Sequence, residues 1–261
     1  MSVRWFRYAA PQAFYGWAGH WIGPIGGLAT ALLLVGLWMG FAMAPTDFQQ
    51  GEGYRIIFVH VPASWMSMVI YMAMAFWSVL GLTFNTRLSG MMTRALAPTG
   101  ALFAFLSLWT GALWGKPMWG AWWVWDARLT SELILFFLYL GYMALVAAVE
   151  DPRSAGRAGA VLLLVGVVNI PIIHYSVEWW NTLHQGPTVT KFDKPSIHPS
   201  MLWPLLLMAG AFQLYYFTVS LIRARAELLE RLRDCPVPGR RALVEDIFWA
   251  LLSSKEFLFN H

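Results

Sequence analysis

The stretch WGKPMWGAWWVWDARLTSELILFFLYLGYMALVAAV, Trp114–Val149, sets two unlike chemistries side by side. From Leu129 to Val149 the only charged residue is Glu132. About 20 such residues, rising 1.5 Å each as a helix, cross a hydrocarbon core roughly 30 Å thick. The first half instead crowds five tryptophans into Trp114–Trp125, with Gly115, Pro117 and Gly120 able to bend the backbone, and ends in Asp126 and Arg128.

The rest of the chain repeats the apolar half. Of 261 residues, 58% are hydrophobic and 12% charged, against roughly 45–50% apolar in soluble domains. Apolar runs of spanning length lie near residues 22–44, 57–84, 95–114, 129–149, 158–179 and 201–222. The segments between them are short and polar or carry Pro and Gly, where the backbone can leave the hydrocarbon and find water. This predicts an all-α integral membrane protein of six transmembrane helices over 1–222, with a tail over 223–261 and no separate soluble domain.

Orientation follows from Lys and Arg, which stay on the cytoplasmic side. Thirteen of the 18 basic residues, among them Arg4, Arg7, Arg87, Arg94, Arg153 and Arg157, fall on one set of segments. Arg55, Lys116, Arg128, Lys191 and Lys194 fall on the other. Both termini are therefore expected in the cytoplasm. The net charge of +4 reads as topology and gives no ground for nucleic-acid binding. Ala42–Ala44 imitates a signal-peptidase site, but the apolar run before it is longer than the 7–15 residues of a signal h-region, so a retained first helix is expected. Cys235 is the single cysteine, which excludes a disulfide framework, a thiolate metal site and a C-x-x-C-H heme attachment. No Walker-type phosphate loop is present. The tail opens with RARAELLERLRD, a helical continuation of the sixth span, and ends in ALVEDIFWALLSSKEFLFNH, apolar enough to lie on a membrane or a partner.

The chemistry-bearing residues collect in the outer segments. Aromatic belts at membrane interfaces explain isolated residues such as Trp21, Trp38, Trp77 and Trp203. They explain poorly the cluster Trp114, Trp119, Trp122, Trp123 and Trp125. Were Trp119–Trp125 helical, Trp119, Trp122 and Trp123 would share a face and offer a slab for a flat apolar ligand. Composition alone leaves belt and platform equally open. Asp126 suits a helix N-cap, and the Arg128 guanidinium suits either an interface or a ligand carboxylate. His60, just before Pro62, and His184, past the outer end of the fifth span, project from the same side as the tryptophans. Each alone reads as a structural hydrogen-bonder; together they form a pair able to ligate heme iron axially. His174, with Glu178 and Asn181, reads as a buried polar network. His198, in a proline-flanked loop, is the weaker candidate, and so are His20 and His261.

WGAWWVWDARLTSELILFFLYLGY resembles the WWD signature of heme-handling membrane proteins, and its DARLT ending, FVHVPASW around His60 and SVEWWNTLHQGP before His184 are similar to the CcmC branch of system I cytochrome c maturation. The resemblance covers nearly all of Tyr54–Trp203. It implies a periplasmic site for transiently held, non-covalent heme b. It further implies delivery to the heme chaperone CcmE, alongside CcmD and the ABC-type pair CcmA and CcmB, in a bacterial inner membrane. On this resemblance His60 and His184 match axial or near-axial ligands of the metal, and Trp114, Trp119, Trp122, Trp123, Trp125 and Asp126 match the platform. Arg128 belongs to the same motif, and a propionate contact is inferred for it. The protein would then be a transfer protein that promotes covalent heme loading of the chaperone rather than a classical enzyme. Two other readings stand beside it: a b-type heme electron-transfer subunit, whose histidines would sit deeper in the bundle, and a transmembrane heme exporter component, which would need a polar path through it.

Overall fold

The computed structural model describes residues 11–84, 87–180, 182–186, 188–189, 191 and 194–233. Seven α-helices account for most of them: α1 (Pro11–Trp38), α2 (Ile57–Phe84), α3 (Arg87–Trp119), α4 (Ala127–Ala148), α5 (Pro152–Gly166), α6 (Asn169–Trp179) and α7 (Pro199–Arg233). A π-helical turn, Met39–Met43, prolongs α1, and a 3₁₀ turn, Glu52–Ile56, leads into α2. Among the described residues no β-strand forms; one isolated bridge joins Asp47 and Gly51. Counting α5 and α6 as one span, six helical segments among the described residues are long and apolar enough to cross a membrane. The all-α, six-span reading holds.

The limits of the helices differ from those read in the sequence, for local reasons. Helix α1 is described from Pro11 onward, so the first span reaches well before the expected start near residue 22. The run 158–179 is two helices. Pro171 can give no N–H to the carbonyl four residues back and crowds it. Beside that break a Cβ on Gly166 would stand 2.1 Å from the Tyr71 hydroxyl, so only glycine lets α2 approach there. Helix α3 runs on through Trp114 to Trp119, past Gly115 and Pro117, and the expected connection over 114–128 shrinks to its second half. Its end is set at Gly120, whose φ of +76° is the left-handed conformation of a helix stop, with its N–H donating to the Lys116 carbonyl at 3.1 Å. Trp119–Trp125 is therefore not helical, and Trp119, Trp122 and Trp123 share no helix face. Helix α7 carries the sixth span on to Arg233, as the RARAELLERLR pattern predicts. Arg4, Arg7, Asn181, Cys235, His261 and the apolar end of the tail lie outside the described residues.

Helix α2 packs chiefly on α3, and α1 on α7. Tyr71, Met74, Leu135, Tyr139, Leu163 and Ile173 are almost wholly buried where α2 to α6 meet. Between lipid-bathed helices such contacts stabilise through close packing and hydrogen bonds, since lipid is as apolar as the side chains themselves. Tyr71 and Tyr139 meet edge to face, centroids 5.3 Å apart, and the Tyr139 hydroxyl donates to the Ser67 carbonyl at 2.7 Å. This core fixes the opposed faces of α2, α3 and α4, on whose ends the site is built.

Candidate functional site

The start of α2, the end of α3, the first turn of α4 and the segment after α6 come together around a cavity of about 470 Å³. His60, His184, Trp114 and Arg128 all line it. The two histidines, far apart in the sequence, thus face one space.

His60 stands in the first turn of α2, against α3. Its Nδ1 lies 3.0 Å from the Ser107 carbonyl and 3.0 Å from the Thr110 hydroxyl. A carbonyl can only accept, so Nδ1 carries the proton and Nε2 keeps its lone pair. Thr110 donates its own hydrogen to the Leu106 carbonyl at 2.6 Å, which leaves its oxygen free to accept from the imidazole. Gly111 makes the approach possible: a Cβ there would sit 3.1 Å from His60 Cε1.

His184 is held differently. Its Nδ1 is 2.9 Å from Asp126 Oδ2, and the side chains of both are largely buried. An ionised carboxylate accepts only, so this imidazole too is protonated at Nδ1 and presents Nε2. Asp126 meanwhile caps α4, its Oδ1 accepting from the Leu129 N–H at 2.7 Å. Burial would raise the Asp126 carboxyl, but the hydrogen bonds from His184 and Leu129 outweigh it and hold the group below the usual carboxylate range. One side chain therefore does both the capping expected from its position and the orienting of a histidine 58 residues away.

The tryptophans divide into two groups. Trp114 and Trp119 meet edge to face at 5.0 Å, and Trp119 packs against the His184 ring at the same distance and Trp114 at 6.4 Å. The Trp114 indole N–H donates to Gln50 Oε1 at 3.1 Å. Beyond Gly120, Trp123 and Trp125 pair edge to face at 5.4 Å, while Trp122 and Trp125 are 56% and 75% exposed. Only Trp114 of the five lines the cavity. The single slab expected from the sequence is two aromatic clusters, because the left-handed Gly120 turns the chain between them.

Several lining residues carried little signal in the sequence. His174 and His198 both line the cavity, although the first reads as part of a buried network and the second as a loop residue. Gln50, Tyr54 and Trp65 join them from the connection before α2 and from α2 itself. Ser107 and Thr110 were legible only as a polar pair three residues apart in an apolar run. Below Arg128, one helical turn on, Glu132 is buried and accepts from the Ser67 hydroxyl at 2.8 Å.

Fold and site together define a multi-pass helical membrane protein with an imidazole- and indole-walled cavity at one end of its bundle. The sequence profile of the CcmC family, heme exporter protein C, matches residues 4–236. Heme exporter protein C of Haemophilus influenzae is 48% identical over 246 residues, 94% of this chain and 99% of its own. That of Escherichia coli K12 is 50% identical over 223 residues, 85% and 90% of the two chains. A ccmC-like mitochondrial protein of Marchantia polymorpha, whose name places it in cytochrome c biosynthesis, is 48% identical over 186 residues, 71% and 78% of the two chains. The chain belongs to the heme exporter protein C family.

Proposed function

We propose that this protein holds heme in the His60/His184 cavity, on the periplasmic side of a bacterial inner membrane, and delivers it to the chaperone CcmE during c-type cytochrome biogenesis. CcmD, CcmA and CcmB are its expected partners. The names of its relatives support a role with heme and with cytochrome c. The observation that carries the proposal is the matched tethering of two imidazoles, each fixed at Nδ1 and each with Nε2 left to bind.

The donor set fits heme as a cargo. Among the described residues no three His, Cys, Asp or Glu side chains converge to hold a metal ion. A pair of imidazoles suits an iron whose four in-plane ligands come from a porphyrin. Trp114, Tyr54 and Trp65 give the cavity an aromatic wall, and Arg128 a cation for a propionate. Release requires that one axial bond be surrendered, and the exposed Trp122 and Trp125, in the segment that leads to Asp126, offer a receiving protein an apolar face.

The test is spectroscopic and then functional. The detergent-solubilised wild type should carry heme with a Soret band that the His60→Ala/His184→Ala double variant lacks. When the chaperone is co-expressed, covalent heme on it should fall in parallel. Equal heme content and identical bands in both proteins would sink the axial assignment. Normal chaperone loading by a Trp119→Ala/Trp122→Ala variant would return these tryptophans to an anchoring belt.

A further inference from the structure

A second cavity lies at the opposite, arginine-rich end of the bundle. It measures about 550 Å³ and is enclosed by the end of α2, the start of α3, the end of α4 and the start of α5. Arg94 reaches it from α3, and Arg153 and Arg157 from α5. None of the residues that wall the histidine cavity takes part. We propose that it is a binding site for the phosphodiester headgroup of an anionic phospholipid such as phosphatidylglycerol.

Charge is the first argument. Three arginines line the cavity against one carboxylate, Asp151. That carboxylate is turned to its own helix, accepting from the Ser154 N–H at 2.8 Å as the cap of α5. Glu227 of α7 lies 4.0 Å from Arg94 and Asp151 interacts with Arg153, yet the lining keeps an excess of positive charge, with Arg153 and Arg157 both exposed. A planar guanidinium matches two phosphate oxygens at once. Basic pockets between membrane helices at the anionic leaflet are where such headgroups are held.

Space and apolar surface argue for a lipid over a free anion. A Cβ on Gly90 or Gly156, both in the lining, would touch nothing within 4 Å, so the room is real on two walls. Met72, Phe76, Val79 and Leu82 are all more than 40% exposed and follow one another at spacings of three and four along one face of α2. This stripe ends at Leu82, which is itself part of the cavity wall. A headgroup seated among the arginines would lay its acyl chains down that stripe; inorganic phosphate would have no use for it.

The experiment uses the full chain in a mild detergent, titrated with dioleoylphosphatidylglycerol or dioleoylphosphatidylcholine and read by native mass spectrometry. The wild type should retain the anionic lipid and not the zwitterionic one. Each arginine near an anionic surface contributes on the order of 1 kcal/mol, so Arg153→Gln/Arg157→Gln should weaken retention roughly ten- to thirtyfold. Gly156→Leu keeps every charge but fills the space, and should weaken it as well; melting curves show whether either variant is folded. Equal retention of the two lipids, or undiminished retention in both folded variants, overturns the site. If inorganic phosphate or glycerophosphate displaces the lipid at equal concentration, the cavity binds the anion alone and the lipid assignment is wrong. Heme binding at the other end should not change in either variant, so this proposal and the heme proposal fail separately.

Discussion

His60 and His184 present the same nitrogen to the same cavity from opposite kinds of support. His60 rides on a 28-residue helix and is pinned to a main-chain carbonyl of α3, and helix packing would have to yield before it could move. His184 belongs to the irregular segment after α6, and its fixed position depends on a side-chain carboxylate and on two indole rings. A main-chain acceptor in a packed helix cannot rotate away, whereas a carboxylate can change rotamer or protonate. Under the proposed function, this contrast would make His60 the permanent post and His184 the releasable one. Delivery of a ligand bound at two points would need that asymmetry, because two permanent posts would trap it.

The first way to break the comparison is His60→Ala. If the helix-borne imidazole is the permanent post, heme retention should fall by more than the roughly 10–100-fold typical of supporting residues, measured by heme titration of the purified protein. His184→Ala should cost less and leave a five-coordinate heme on His60, seen as a shifted Soret band with the loss of the low-spin spectrum. Equal losses, or a larger one at His184, would reverse the roles.

Asp126→Asn sharpens the same contrast. Asparagine still caps a helix, but it withdraws the charge that fixes the His184 tautomer; affinity should drop about tenfold while the melting temperature changes little. Asp126→Ala should lose the cap too, adding about 1 kcal/mol of destabilisation. Trp122→Ala and Trp125→Ala, on exposed rings outside the cavity wall, should leave heme affinity within about twofold, since surface changes away from such contacts are small. Chaperone loading should fall nonetheless, which separates holding from handing on. The smallest effect is on acid stability. The folded Asp126 carboxyl lies below its ordinary value, so its contribution is complete above about pH 5 and disappears as pH falls through the depressed value. Asp126→Asn should therefore lose less stability than the wild type as pH falls below about 5, a difference readable in melting temperatures.

Much of this architecture was legible because a bilayer constrains sequence severely. Runs such as Leu129–Val149 have no other economical fate, and Asp126 before Ala127 announces a cap that the structure contains. The helix limits were harder to read. Pro117 lies inside α3 without ending it, whereas Pro171 follows a real break; the neighbours that re-satisfy freed carbonyls decide between these outcomes. In the site, His60 and His184 stood out as polar groups at the ends of apolar runs. Gln50, His174 and His198 did not, since their place in the wall depends on how the connection before α2 and the segment before α7 fold over the bundle.

The sequence by itself determined the number of spans and the gathering of imidazole and indole chemistry in the segments between them, because apolar length and aromatic crowding are properties of the chain. Only the tertiary structure decided what each side chain does there. It split the five tryptophans at Gly120, joined Asp126 to His184 and set His60 against Ser107. Those pairings depend on the relative rotation and approach of α2, α3 and α4, which no periodicity within a single helix encodes.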